Sequence, residues 1–312
     1  MYAPKPFKED YLPEQDGHRV YYAQYGNESG PTIVSFHGGP GSHCKPRHAS
    51  LFDLNVYKVV VIDQRGCGKS EPAGSLEHNT TQDLIADVER VREAMGVEQW
   101  FVTGGSWGST LALSYAQTHP ESVRGIMISA VFLGDQYSLD WFGGTDGVGA
   151  LFSDVWKHRQ ERFDQQGIGS SAVEVYAALQ NAEGEAVKEI TADILNYEYN
   201  LFTANADVSY MHPEDISEED ITYAKIFMHY ESNKFFFADD QLFRNVAAIK
   251  DVPMVMVHGR HDVLCPYKRA WELQEAHGNS KLVALPQSNH ALTADGKVAQ
   301  KYIFDAFLTK HT

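Results

Sequence analysis

Cysteine is scarce in this chain: the 312 residues hold three, Cys44, Cys67 and Cys265, scattered and odd in number. That excludes a disulfide framework and fits a reducing compartment, so all three are expected as free thiols. Long uncharged apolar runs are missing, and no basic-then-apolar stretch opens the chain, so neither a membrane span nor a secretory signal is expected and the expected location is the cytoplasm. Positive charge is in deficit, with 26 Lys and Arg against 42 Asp and Glu, a formal net charge of −16. Nucleic acid and anionic membranes are therefore not expected partners, since both repel an acidic surface. Internal repeats and low-complexity tracts are absent as well. The histidines form no HExxH pair, and His258 and His261 do not share a helical face with a third ligand, so no metal is expected. Gly68, Lys69 and Ser70 imitate the end of a phosphate-binding loop, but the glycine that should open it is Asp63, which removes the amide cradle and any expected nucleotide cofactor.

What is present begins with Gly104, Gly105, Ser106, Trp107 and Gly108, a serine among glycines between the apolar run Trp100 to Thr103 and a helical pattern over Ser109 to His119. A strand, a tight turn and a helix in that order force the serine into a strained conformation that leaves its hydroxyl exposed above a sheet. A serine hydroxyl becomes a useful nucleophile only when a base takes its proton, and behind such a turn the acid and the histidine follow in chain order. The run Pro253 to His258 reads as a buried strand and places Asp262 at its carboxyl end. The next strand, Lys281 to Leu285, runs into a polar loop ending on His290. Upstream, the strand Thr32 to Phe36 ends in His37, Gly38, Gly39, Pro40 and Gly41, a loop able to aim an amide at a developing alkoxide. Ser106, Asp262 and His290 are thus the expected nucleophile, acid and base, with the amides of Gly39 and Trp107 as oxyanion donors.

HGGPGS at His37 to Ser42, DQRGCGKS at Asp63 to Ser70, GGSWGSTLALSYAQTHP at Gly104 to Pro120 and HGRHD at His258 to Asp262 together resemble the proline iminopeptidases. The resemblance runs from about Tyr21 to the C-terminus. It implies an α/β-hydrolase fold, a mostly parallel central sheet flanked by helices with an inserted helical cap, and a serine peptidase that releases an N-terminal residue. It implies the same three catalytic residues, and casts Asp63, Gln64 and Arg65 as supports of the oxyanion loop.

The family binds the substrate's free amine with glutamates on the cap. One lies in a Trp-Glu-Gly triplet that resembles Tyr197, Glu198 and Tyr199, which makes Glu198 the expected amine anchor. A second lies in a segment resembling ARIENHYF. This chain reads AKIFMHYE over Ala224 to Glu231, so Phe227 stands at the carboxylate position, and Glu231, one helical turn further on, is not taken as a replacement. An arginine of the family is replaced by Ser129, while the pocket aromatics correspond to Phe132 and Phe142. Fewer charges in an apolar pocket are expected to alter specificity.

Strands are expected over Tyr21 to Tyr25, Thr32 to Phe36, Lys58 to Asp63 and Arg124 to Ser129, with a capped helix whose apolar stripe is Leu84, Val88, Val91 and Met95. Beyond Gly134 the alternation of strand and helix stops until Val252. The expected division is a first core part over 1–133, a helical cap over 134–240 and a second core part over 241–312. Inside the cap, Gly143, Gly144, Gly147 and Gly149 read as a flexible opening, Ala172 to Leu179 and Ala192 to Tyr199 as helices, and the acidic run Glu214 to Asp220 as a solvated helix start rather than a cation site. Val298 to Leu308 reads as the final helix.

Three readings of function remain at this stage. The first is an aminopeptidase acting on short peptides whose first residue is proline or another small apolar residue. The second is an esterase, amidase or lactonase with no need of an amine, which Phe227 favours. The third is a ligand-binding protein without catalysis, against which the complete set of catalytic residues speaks.

Overall fold

The fold is described from a computed structural model, over residues 3–204 and 207–312. Its eight strands are β1 (Lys8–Tyr11), β2 (Tyr21–Gly26), β3 (Thr32–Phe36), β4 (Lys58–Ile62), β5 (Trp100–Ser106), β6 (Val123–Val131), β7 (Met254–Gly259) and β8 (Ser280–Leu285). They form one sheet in the order β1-β2-β4-β3-β5-β6-β7-β8. β1 and β2 run antiparallel to their neighbours, and the pairs from β4 to β8 are parallel. β1 escaped the sequence reading because it is an edge strand of four largely exposed residues, KEDY, without an apolar alternation to betray it.

Alternate residues of the central strands serve opposite cores. Val34, Val60, Ile62, Met254 and Met256 pack on one face of the sheet, while Ile33, Val59, Val61, Val255 and Val257 pack on the other. This is the two-residue period of a pleated strand, with both faces buried. α1 (Pro46–Ser50), α2 (Thr81–Ala94) and α3 (Trp107–Thr118) lie in the first part of the chain, and α11 (Tyr267–His277) and α12 (Ala294–His311) in the last. α2, α3 and α11 cover the first face through residues such as Val88, Leu111 and Leu273, and α12 covers the second through Phe304 and Leu308. Of Thr80 and Thr81, either of which could cap α2 from the sequence, Thr80 does so: its hydroxyl accepts from the Asp83 amide, and the Asp83 carboxylate accepts from the Thr80 amide. α12 begins four residues before its expected start because Thr293 caps it.

Between β6 and β7 every described element is helical: α4 (Gln136–Gly143), α5 (Val148–Leu151), α6 (Ser153–Gln165), α7 (Ala172–Asn181), α8 (Glu185–Thr203), α9 (Glu218–Ser232) and α10 (Gln241–Arg244), with short 3-10 turns. The glycines expected to form a flexible opening instead end α4 and lead directly into α5, where Val148 and Gly149 are buried. α8 extends the expected Ala192 to Tyr199 helix in both directions. The acidic run starts α9 as expected, with Ser217 and Asp220 forming a capping box and Glu218 and Glu219 in the first turn. This insert has an apolar cluster of its own, in which Phe163, Val175, Leu179, Ile194 and Met228 meet.

The chain leaves β3 for β4 on one side and returns to β5 on the other. The carboxyl ends of β3 and β5 therefore diverge into a crevice, the place where open α/β sheets bind ligands.

Candidate active site

Ser106 is the last residue of β5, and α3 begins at Trp107. Its backbone has φ 57° and ψ −131°, a region a residue with a Cβ occupies only at a cost on the order of 1–3 kcal/mol. The surrounding packing enforces it. A Cβ on Gly104 would collide with the Gly108 carbonyl, and a Cβ on Gly108 with the Phe36 carbonyl, so only glycine lets α3 start this close to β3 and β5. The Ser109 hydroxyl donates to the Ser106 carbonyl at 2.7 Å and accepts from the Phe132 amide at 3.0 Å, fixing the turn to the end of β6.

Asp262 and His290 meet from the ends of β7 and β8. His290 Nδ1 lies 2.9 Å from Asp262 Oδ2 and 3.0 Å from Oδ1, and both residues are buried. Asp262 Oδ1 also accepts the backbone amides of Leu264 at 3.1 Å and Cys265 at 2.9 Å, which aim the carboxylate. Burial works against both charges. The attraction between them outweighs it, holding the Asp262 carboxyl below its usual range and lifting the His290 imidazole well above its own. His258, wholly buried, accepts from the Val131 amide through Nδ1 and donates through Nε2 to the Cys265 carbonyl. It thereby ties β6, β7 and the acid's loop together as a neutral imidazole, kept so by burial.

The glycine loop after β3 faces the same place. Gly39 has φ +107° and lines a cavity together with Ser106. Trp107 is the first residue of α3, with its amide unclaimed by the helix ladder. Gln64 connects the two: its amide nitrogen donates to the His37 carbonyl at 3.0 Å, and its carbonyl accepts the Trp107 indole N–H at 2.8 Å. The Gln64 backbone N–H donates to His37 Nε2 at 3.1 Å, and burial pushes that imidazole down to about 4, so it stays neutral and accepts. Of the three residues expected to support this loop, Gln64 touches it. Asp63 instead accepts the backbone amides of Cys44 and Lys69, and Arg65 forms a buried two-point pair with Asp87 at 2.6 and 3.0 Å.

The cavity is walled by Phe132, Phe142 and Phe227, and Glu198 faces it from α8, so the four residues singled out for substrate contact are brought together with Ser106 and Gly39. The Tyr223 hydroxyl lies 2.7 and 2.8 Å from the two Glu198 oxygens and donates to that carboxylate. Burial raises the Glu198 carboxyl, while the Tyr223 hydrogen bond and the His290 charge oppose the rise. Phe227 stacks on Tyr223 at 6.0 Å and meets Phe142 edge-on at 6.3 Å, and Phe132 meets Phe235 edge-on at 5.0 Å. Glu231, which the sequence reading set aside, lines the same cavity. The signal was the spacing itself, since residues four apart on a helix share a face.

Among the described residues, Asp262, Cys265 and His290 are the group whose ligating atoms lie close enough to hold a metal, all within 4.8 Å. In that group the Asp262 carboxylate already binds His290 Nδ1, and burial pushes the Cys265 thiol up, away from the thiolate a metal requires.

A family model described as the alpha/beta hydrolase fold matches residues 31–297. A proline iminopeptidase of Xylella fastidiosa (strain Temecula1 / ATCC 700964) is 36% identical over 298 residues, covering 92% of this chain and 91% of its own. That of Arabidopsis thaliana is also 36% identical, over 96% of this chain and 80% of its own. Among solved structures, an alpha/beta fold family hydrolase from Bacillus anthracis str. Sterne superimposes with a TM-score of 0.60 at 20% identity, over 99% of this chain and 100% of that one.

Proposed function

This chain belongs to the alpha/beta hydrolase fold family and to its proline iminopeptidases, and on that footing we propose that it is a serine aminopeptidase releasing N-terminal proline from short peptides. The observation that carries this is one cavity, bounded on the sheet side by Ser106 and Gly39 and on the insert side by aromatic rings and the Glu198 carboxylate. A prolyl ring is apolar and its ammonium is charged, and such a cavity offers a partner to each.

In the proposed mechanism His290 takes the Ser106 proton as Oγ bonds to the carbonyl carbon of the first residue. Asp262 holds the imidazole tautomer and favours the imidazolium that forms. The oxygen that becomes negative is met by the amides of Gly39 and Trp107. Loss of one such donor costs on the order of a hundredfold to a thousandfold in rate. His290 then passes its proton to the departing peptide nitrogen as the C–N bond breaks, leaving prolyl ester on Ser106. Water attacks that ester with His290 again as base, and free proline and the serine are regenerated.

Residues 134–240 act in this reading as a cap that encloses the amine end of the substrate and leaves the peptide's C-terminal side to exit. Their helical content and separate apolar cluster support it. No helix among the described residues is long and apolar enough to cross a membrane. We place the protein in the cytoplasm, which its three unpaired thiols support.

The test is to incubate the protein with a short peptide beginning in proline and to follow free proline, before and after treatment with a fluorophosphonate. Release of the first residue alone, lost in step with labelling mapped to Ser106, is expected. Labelling elsewhere, or cleavage inside the peptide, contradicts the proposal.

A further inference from the structure

The cavity contains a second carboxyl that the mechanism above leaves unused. Glu231 stands on α9, lines the cavity and is 8% exposed, and its Oε2 has no hydrogen-bond partner among the described residues. Among the described residues it forms no ion pair. Arg159, whose positive charge opposes the rise of its pKa, has its guanidinium spread over the rings of Phe163 and Tyr197 at 5.0 and 4.8 Å. A buried acceptor without a donor weakens a fold, so a carboxyl in the wall of a cavity, short of partners within the protein, is suited to accept from a ligand held there.

The placement on the helix agrees: Phe227 and Glu231 stand four residues apart, on one face of α9, and both line the same cavity.

We propose that Glu231 is the second anchor of the substrate's ammonium, which is held between Glu198 and Glu231 in this chain. The proposal rests on the aminopeptidase reading. A prolyl ammonium has two N–H donors, one for each carboxylate. Glu198 has acceptor sites to spare after taking the Tyr223 hydroxyl, and the Glu231 carboxyl has an oxygen without a donor among the described residues. Phe227, stacked on Tyr223 beside Glu198, then packs on the ring of the first residue instead of its charge.

The experiment compares wild type, Glu231→Gln and Glu198→Gln on prolyl arylamide, its N-acetylated twin and an uncharged phenyl ester, with thermal midpoints measured alongside. Glutamine keeps the size and removes the charge. The proposal expects Glu231→Gln to lose on the order of tenfold to a thousandfold in kcat/KM on the free amine. Ester turnover should stay within about twofold, and the midpoint should not fall, because a buried unpaired acid has been removed. Wild-type turnover of the free amine by Glu231→Gln, with only Glu198→Gln impaired, overturns it. So does an equal loss on amine and ester with a lowered midpoint, the mark of a purely structural residue. Should wild type itself handle the acetylated twin as well as the free amine, the aminopeptidase reading fails first, a result distinct from either of these.

Discussion

Ser106, Asp262 and Gly39 stand where strands end, whereas Glu198, Phe227 and Glu231 stand within helices, and the two sides of the cavity are held by different forces. On the sheet side the restraints are backbone: the positive φ of Ser106, the glycine contacts beneath it, and the amides of Leu264 and Cys265 on Asp262. On the insert side they are side chains, chiefly the Tyr223 hydroxyl on Glu198 and a cluster of rings. A ladder of parallel strands fixes where the groups of the proposed catalytic set can stand. A helix presents residues one turn apart on the same face, so the groups that line this side depend on side-chain packing more than on backbone restraint.

The sharpest way to break the comparison is Ser106→Ala. It should remove turnover of every substrate by on the order of 10⁶, amine and ester alike, with cavity and fold intact. Activity retained on either substrate would place the nucleophile elsewhere. A smaller effect is expected from Gln64→Ala, which unties the glycine loop from the elbow. Stopped assays at saturating substrate should show kcat down by roughly a hundredfold on both substrates with KM little changed, since a small misplacement of oxyanion donors has that cost. An effect confined to the free amine would contradict the assignment of Gln64 to the sheet side.

The least drastic test is pH. Burial pushes the Glu231 carboxyl up to about 7, Glu198 adding to the rise and Arg159 opposing it. Below that pH Glu231 is neutral and binds an ammonium weakly. Above it the carboxylate forms and KM for the free amine should fall, until the substrate's own amine deprotonates near 8. His290, lifted by Asp262, must be neutral to act as base on either substrate, so its acid limb cancels in the ratio of free-amine to ester kcat/KM, and that ratio should rise through about 7. Glu231→Gln should flatten the rise in the ratio. A wild-type ratio that does not change with pH would leave the Asp262 and His290 pair as the source of the whole acid limb.

The same contrast governs what could be read before any coordinates. Gly104 to Gly108 declares a strand, a turn and a helix within five residues, and Asp262 and His290 each stand in the loop just after a strand that hydrophobic runs reveal. Strand ends are local, and so are legible. The spacing from Phe227 puts Glu231 on the same face of α9, but whether that face meets the cavity depends on how α9 packs against α7 and α8, which α9 alone does not encode. Gln64 was visible as a loop residue. Its bridge between the His37 carbonyl and the Trp107 indole, 43 residues further on, exists only once β3, β4 and β5 lie side by side. The edge strand β1 was hidden for the opposite reason, because almost nothing in it is buried.

The most direct measurement is kcat/KM of the wild-type protein on prolyl arylamide against its N-acetylated twin, with Ser106→Ala as the blank. A strong preference for the free amine, on the order of a hundredfold or more, is predicted, because acetylation removes the charge that the Glu198 side of the cavity is proposed to receive. Equal or faster turnover of the acetylated twin would contradict it and leave a serine hydrolase whose cavity recognises an apolar acyl group alone.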